Sequence, residues 1–179
     1  LVGSEMCIRD RNNWKITDTL TKVFADEVPD GQGSIRLSTL HRETVSCVIA
    51  YFGAADWGRY WKVSVKAPEK IETRLRRVEL VPSAYPCHKE QDDNYLRIVP
   101  GMYPDLLRDL DTEGDGADKK YLTKEVPGQW RSLWLDVTVD AELAGGDYAI
   151  VIETETEDGE KETLKADLHV VDASLPPQK

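Results

Sequence analysis

The chain has 179 residues, enough for one domain with a buried core, and carries a formal net charge of -10. A surface this negative repels phosphate backbones, so nucleic-acid binding is excluded as a function class. No stretch approaches the roughly 18 consecutive apolar residues of a membrane-spanning helix, so no membrane span is predicted.

The opening string, LVGSEMCIRDR, follows no structural pattern and resembles translated sequencing-adaptor sequence. We expect residues 1–13 to be an artefactual or disordered leader. A β-sandwich domain is predicted over residues 14–173. Residues 174–179 are predicted to be an extended linker, because the adjacent prolines Pro176 and Pro177 cannot continue a strand interior.

Short runs of β-branched and aromatic residues, separated by turn residues, predict strands along the chain. A strand end is predicted at Val23–Phe24, and strands over 35–40, 44–52, 61–66, 71–81, 96–99, 133–139, 148–152 and 164–170. Pro104–Leu110 is predicted to form one or two helical turns, since proline suits the first position of a helix. Residues 111–120 are predicted to be an acidic, glycine-rich loop.

The clearest pattern lies between Trp130 and Val171. Period-two alternation places one set of apolar residues on the inner face of a sheet. The set is Leu133, Leu135, Val137, Val139, Tyr148, Ile150, Ile152, Leu164, Ala166, Leu168 and Val170. Gly145–Gly146 predicts a positive φ or a close backbone approach, and Asp158–Gly159 predicts a hairpin with a type I′ turn. Such alternation is typical of half-buried antiparallel sheets.

The fold class that follows is all-β: an antiparallel two-sheet β-sandwich of immunoglobulin or jelly-roll type. We expect about nine strands and at most short helical turns, because the strands are short and no long amphipathic helix is indicated. The arginines of the Arg74–Arg77 group need solvent or carboxylate partners. Glu43 is expected to pair with Arg42 or with that group.

The cysteines Cys7, Cys47 and Cys87 show no spacing typical of metal ligands, so no zinc site and no cofactor are predicted. Two interpretations of Cys47 and Cys87 stay open, a disulfide in an exported protein or two buried thiols. The position of Cys47 in the middle of a predicted strand favours the thiol.

Five passages stand in a fixed order: Val23–Pro29, His41–Cys47, Tyr103–Leu107, Trp134–Val137 with Ala144–Tyr148, and Val170–Pro176. As an ordered set they resemble the N-terminal β-sandwich region of glycoside hydrolase family 123 and its uncharacterised relatives. The resemblance implies that a catalytic (β/α)8 barrel follows the sandwich. It makes residues 174–179 the linker toward that barrel.

For characterised members the resemblance implies a β-N-acetylgalactosaminidase. The substrate's 2-acetamido oxygen attacks the anomeric carbon, and an Asp-Glu pair in the barrel orients that group and protonates the leaving oxygen. The pair Asp26–Glu27 lies in the opening turn and does not match the barrel motif, so no catalytic residue is assigned. The resemblance favours an extracellular or periplasmic location.

Trp57 and Tyr60 are the candidate carbohydrate-contact residues. Aromatic faces stack on the C–H faces of sugars, and Asp56 and Arg59 lie beside them in sequence. The alternative is that Trp61 points into the core and Trp57 covers the sandwich edge, since large aromatics usually serve as buried area.

Asp111, Glu113 and Asp115 are the candidate metal ligands, because Asp111–Gly116 resembles the first half of a calcium loop. The position that should supply a bidentate glutamate is Leu122, so a solvated acidic loop is the alternative. His41, His88 and His169 are far apart in sequence and predict no catalytic set.

The leading hypothesis is therefore a non-catalytic accessory sandwich that packs on the barrel of its parent enzyme and shapes the cleft. Two alternatives are a stand-alone carbohydrate-binding module that contacts glycan through the Trp57 region, and a cell-surface structural or adhesion domain.

Overall fold

The computed structural model describes residues 14–19, 33–53, 58–84 and 99–176, except for the side chain of Ala117. Within these ranges the chain forms eleven β-strands and one 3-10 turn, Gly116–Asp118. The strands are β1 (Trp14–Thr17), β2 (Ser34–His41), β3 (Thr44–Phe52), β4 (Tyr60–Lys66), β5 (Ile71–Ser83), β6 (Gly101–Asp109), β7 (Thr112–Glu113), β8 (Lys120–Lys124), β9 (Trp130–Val139), β10 (Gly146–Thr156) and β11 (Lys161–Ser174). The all-β prediction is confirmed, with more strands than the nine or so expected.

The described strands form two sheets that pack face to face as a sandwich. The five-stranded sheet has the order β1-β3-β9-β5-β6, and the six-stranded sheet has the order β2-β11-β10-β4-β8-β7. One pair departs from the predicted antiparallel arrangement, because β2 runs parallel to β11 with Leu37 opposite Leu168. Parallel partners need a long connection, and these two strands come from the two ends of the domain.

The core follows the predicted alternation. In β9 the side chains of Leu133, Leu135 and Val137 are fully buried, while the intervening residues are half-buried on the outer face. The predicted inward residues of β10 and β11 pack in the same core cluster as those of β9. Two threonines of β10, Thr154 and Thr156, are also buried, so the inner face continues past the apolar run.

A tight turn links β2 of the six-stranded sheet to β3 of the five-stranded sheet. Arg42 adopts a left-handed conformation with φ of 62°, and its N–H donates to the carbonyl of Val139 at 2.9 Å. The carboxylate of Glu43 accepts from the backbone N–H of Leu40 at 2.7 Å and from the Thr39 hydroxyl at 3.2 Å. The prediction that Glu43 pairs with an arginine was wrong, because its carboxylate closes this turn.

The predicted helical turns at Pro104–Leu110 were also wrong. The segment lies in β6, which pairs antiparallel with β5 and has a bulge opposite Glu79–Leu80. Among the described residues β6 is the edge strand of its sheet, a position that tolerates a proline because one side of the strand needs no N–H donor. The neighbouring arginines find carboxylate partners as expected: Arg74 pairs with Asp109, Arg76 with Asp136 and Arg77 with Glu79.

The β10–β11 hairpin is present, but its turn is not type I′. Gly159 has a positive φ of 82°, whereas the φ of Asp158 is not positive. The N–H of Gly159 donates to the carbonyl of Thr156 at 3.0 Å, and the N–H of Thr156 donates to the carbonyl of Glu160 at 2.9 Å. This is a type I turn followed by a left-handed glycine, the usual three-residue hairpin.

The Gly145–Gly146 prediction is confirmed. Gly146 has φ of 149°, and a Cβ on Gly145 would lie 3.0 Å from the Cβ of Asp172. Cys47 is a buried free thiol in β3, and burial, with a smaller contribution from Asp136, raises its pKa to about 12.

Several predicted features fall outside the described residues: the 1–13 leader, the Val23–Phe24 strand end, Asp26–Glu27, Trp57, Cys87 and His88. Residues 96–98 and 177–179 also fall outside. The strand β11 ends at Ser174, one residue into the predicted linker. In the described part of the chain, no helix has the length and hydrophobicity required to span a membrane.

Candidate functional site

Tyr60 and Glu113, chosen from the sequence for different reasons, line the same groove. The groove lies on the outer face of the six-stranded sheet, across β8, β4 and β10, and has a volume of about 630 Å³. Alternation in β4 buries Trp61 and Val63 and turns Tyr60 outward. The described residues that line the groove are Tyr60, Lys62, Glu113, Lys120, Leu122, Glu155, Thr156, Glu157 and Gly159.

Strand register brings the charged groups of the groove together. Lys62 of β4 lies opposite Glu155 of β10 on one side and Leu122 of β8 on the other. Glu113 of β7 lies opposite Lys120 of β8. Three separate parts of the sequence, β4, the β7–β8 pair and β10, therefore contribute adjacent side chains to one surface.

Two ion-pair groups order this surface. The ammonium of Lys62 lies 2.8 Å from Oε2 of Glu113, and this hydrogen bond and the charge of Glu113 raise the pKa of Lys62. The carboxylate of Glu155 lies 3.2 Å from the ammonium of Lys120 and 3.3 Å from that of Lys161. The hydrogen bonds from these two lysines lower the pKa of Glu155. The groove therefore presents ammonium donors and carboxylate acceptors side by side.

Tyr60 supplies the aromatic surface of the groove. Its side chain is 50% exposed, and the ammonium of Lys124 lies 4.9 Å from the centre of its ring. Trp61 is buried and packs edge-on against Trp14 with ring centres 5.1 Å apart. The alternative expected for Trp61, an inward position, is therefore confirmed, and Tyr60 stays a candidate contact residue.

The three candidate calcium ligands lie in and beside β7. Glu113 is engaged by Lys62, while the carbonyls of Asp111 and Asp115 accept backbone bonds from Leu122 at 2.8 Å and from Asp118 at 3.0 Å. Across the described ranges, no three His, Cys, Asp or Glu side chains are grouped as metal ligands would be. The calcium loop stays a prediction.

The two described histidines each pair with a carboxylate. His41 is buried, and its Nε2 lies 3.5 Å from Oδ1 of Asp172. His169 is exposed, and its Nδ1 lies 2.8 Å from Oδ1 of Asp147. Sequence analysis singled out neither carboxylate. The outward position of Asp147 follows from the alternation in β10, but its pairing with β11 is a long-range property.

Comparison with known proteins gives a likeness of fold. No protein-family model and no curated protein matches the chain. Among solved structures, the chain is similar to a family 123 glycoside hydrolase from Clostridium perfringens, studied for glycolipid glycan hydrolysis, at 12% identity and a TM-score of 0.66. The match covers 91% of this chain and 27% of the hydrolase, so the chain spans about a quarter of that enzyme's length.

Two further structures match at TM-scores too low to support an argument. The N-terminal domain of PorA matches at 10% identity and a TM-score of 0.44, covering 90% of this chain and 99% of that one. A PapD-like domain of human CEP192 matches at 11% identity and a TM-score of 0.41, covering 90% of this chain and 87% of that one.

Proposed function

We propose that this chain is the non-catalytic accessory β-sandwich of an enzyme similar to family 123 glycoside hydrolases, of the β-N-acetylgalactosaminidase type. In that role it packs on a (β/α)8 barrel of the same parent chain and shapes the rim of the catalytic cleft. The observation that carries the proposal is the fold likeness, which covers 91% of this chain and only 27% of the hydrolase. A separate region of the parent enzyme would then hold the reaction centre.

The passages that resemble the family occupy constrained positions, which supports the proposal. The indole N–H of Trp134 donates to the carboxylate of Asp136 at 2.7 Å, which gives the Trp-x-Asp spacing a physical reason. Gly145 passes so close to Asp172 that a side chain there would crowd the backbone. These contacts constrain the backbone of this chain, and the second of them links two of the five passages.

An exposed apolar face near Leu175 would favour the accessory role, since it would imply a partner domain. In the structure Leu175 is half-buried and Val171 is 41% exposed. More exposed apolar surface lies on and beside β6, where Val99, Met102 and Leu106 are 53%, 48% and 54% exposed. Exposed apolar surface on a domain commonly marks a contact with a partner. In our proposal the barrel covers part of it.

Three observations test the accessory role. The isolated chain should not hydrolyse a chromogenic β-N-acetylgalactosaminide, and measurable turnover would refute a non-catalytic role. The natural gene should continue into a (β/α)8 pattern with an Asp-Glu pair at a strand end. In that longer protein, the amides of β6 should exchange with solvent more slowly than in the isolated chain. Equal exchange rates in the two proteins would show that β6 is not part of the contact with the barrel.

A second candidate function is direct contact with carbohydrate through the groove. The supporting observation is the half-exposed ring of Tyr60 beside fixed carboxylates and ammoniums, because sugars bind through stacking together with hydrogen bonds to hydroxyls. Titration with galactosamine-containing oligosaccharides, followed by calorimetry and intrinsic fluorescence, should detect binding. Binding should weaken at least about tenfold in Tyr60→Ala, a loss of about 1.4 kcal/mol.

Lys66→Ala is the matched control, because Lys66 is an exposed residue of the same strand, pairs with Glu153 and does not line the groove. A Trp57→Ala variant tests the other predicted contact residue. A flat titration of the unmodified chain would exclude the groove as a sugar site. If the chain binds no sugar on a glycan array but does bind to cells, the adhesion alternative is favoured instead.

A further inference from the structure

A second cavity lies at one end of the sandwich, between the two sheets. It has a volume of about 430 Å³. Tyr51 of β3, Arg77 of β5 and the segment Glu125–Pro127 after β8 line it, together with Arg131 of β9. This cavity is separate from the groove and shares none of its lining residues.

The strand register places two arginines at inward positions. Along β3 and β9 the inner-face pairs are Cys47 with Leu135, Ile49 with Leu133, and then Tyr51 with Arg131. Arg77 of β5 lies opposite Leu133, also on the inner face. A charge at a position that continues an apolar row costs free energy unless it has a partner. The two guanidiniums therefore need an explanation.

Close backbone packing fixes the wall of the cavity. A Cβ on Gly53 would lie 2.2 Å from the carbonyl oxygen of Val126, and a Cβ on Gly58 would lie 2.5 Å from that of Glu125. The N–H of Gly53 donates to Gln129, and the N–H of Gly128 donates back to Gly53 at 2.7 Å. Only glycine allows these approaches, so the wall is held close to the strand ends.

Most charges in the cavity are already paired. Nε of Arg77 donates to Glu79 at 2.8 Å, and Glu125, which is 1% exposed, receives the N–H and Nε of Arg59, each at 3.2 Å. Burial raises the pKa of the Tyr51 hydroxyl, and its hydrogen bond with Thr123 and the charges of Arg77 and Arg131 oppose that rise. Both arginines line the cavity together with Tyr51.

Arg131 is a charge in this cavity without an ion pair in the described part of the chain, and the ammonium of Lys124, which lies over the Tyr60 ring, is another. No hydrogen bond or ion pair joins its guanidinium to the described residues, and its Nε is buried without an acceptor. In a chain with a net charge of -10, an arginine without a carboxylate in a partly enclosed cavity is unusual. Its planar fork of donors matches a carboxylate in two-point geometry.

We propose that this end cavity binds a small monocarboxylate with an apolar body. The carboxylate lies on Arg131, and the apolar part packs against Val78, Val126 and Pro127, which line the same cavity. A single negative charge fits better than a phosphate, because Glu79 and Glu125 also line the cavity and would repel a dianion. The Tyr51 hydroxyl, bonded to Thr123 at 2.8 Å, lines the same cavity.

Benzoate and its neutral isostere benzamide test the proposal in the intact chain. Titration followed by amide NMR shifts should place benzoate at the end cavity, with a Kd on the order of millimolar for so small a ligand. Benzamide should bind at least about tenfold more weakly, because hydrogen bonds to charged groups are about twice as strong as neutral ones. Arg131→Gln should weaken benzoate binding by a similar factor.

Arg74→Gln is the matched control, since Arg74 is 60% exposed and pairs with Asp109 away from this cavity. It should bind benzoate as the unmodified chain does. The proposal is overturned if benzoate does not bind, if benzamide binds equally well, or if Arg131→Gln binds as tightly as Arg74→Gln. If Arg131→Gln fails to fold, Arg131→Lys keeps the charge and should still lose affinity through its missing fork.

Discussion

Asp136 is predicted to be the most costly outer-face residue to remove. Its carboxylate accepts from the Ser46 hydroxyl at 2.7 Å, from the Trp134 indole at 2.7 Å, and from the Arg76 guanidinium. These donors come from β3, β9 and β5, so one side chain ties three adjacent strands of the five-stranded sheet. Asp136 and Arg76 are only 17% and 20% exposed, which limits screening by water.

The magnitude follows from the contacts. A hydrogen bond to a charged group contributes about 1.5–3 kcal/mol, and breaking a buried ion pair by removing one partner costs about 3–5 kcal/mol. In Asp136→Ala, the Ser46 hydroxyl and the Arg76 guanidinium regain some hydrogen bonds to water. We therefore take the low end of both ranges. Asp136→Ala should lower the free energy of unfolding by about 3 kcal/mol. The free energy of unfolding of Asp136→Asn should lie between those of the unmodified chain and Asp136→Ala, since asparagine keeps the shape of the side chain and loses its charge.

Urea unfolding followed by far-ultraviolet circular dichroism measures this change, because Trp134 fluorescence alone would report only its local environment. The slope m should stay constant, so that the midpoint shift reports stability. The matched control is Asp109→Ala, which removes the partner of Arg74 from a pair that is 60% and 71% exposed. Exposed pairs contribute less than about 1 kcal/mol. Equal losses for the two variants would refute the assignment of Asp136 as a structural hub.

Three further outcomes are expected. Because burial raises the pKa of Cys47 to about 12, iodoacetamide at pH 8 should spare this thiol until the chain unfolds, as located by mass spectrometry. The unfolded thiol ionises first, so this group should reduce the free energy of unfolding only as pH rises from its ordinary pKa of 9.0 toward 12. Gly53→Ala should lower the free energy of unfolding by about 1–3 kcal/mol, because its Cβ would overpack against Val126. Gly33→Ala should leave the free energy of unfolding nearly unchanged in the same urea experiment, because its Cβ would meet only a carbonyl at 3.8 Å. Excess calcium should leave the melting temperature unchanged relative to chelator, because one carboxylate of the Asp111–Asp115 loop already pairs with a lysine; a rise of several degrees would establish the ion.

The sequence predicted the strands that carry long alternating rows, and it failed at short strands and at a strand with few buried side chains. Strands β9, β10 and β11 carry long alternating rows, and each row became the core. Strand β6 has few buried side chains, so its pattern held no period to detect, and Pro104 pointed equally to a helix start and to an edge strand. Strand β8, with only Tyr121 and Thr123 buried, was too short to reveal its alternation.

The groove could be predicted only in pieces. Tyr60 was chosen as an exposed aromatic and Glu113 as part of an acidic loop, and nothing local joins them. They meet because β4 pairs with β8, and β8 pairs with β7. Alternation could have placed Lys62 and Glu155 on outer faces, but which outer faces adjoin depends on strand order, which the sequence leaves open.

The end cavity was accessible to sequence reasoning in one respect. Counting back in steps of two from Leu135 and Leu133 assigns Arg131 to the inner face, where an apolar residue is expected. A charge that interrupts an otherwise consistent pattern lowers foldability, so it needs an explanation in packing or in function. The structure limits the first explanation, because no described carboxylate pairs with Arg131. The row that defines the core in β9 therefore also marks Arg131, the residue for which we propose a ligand.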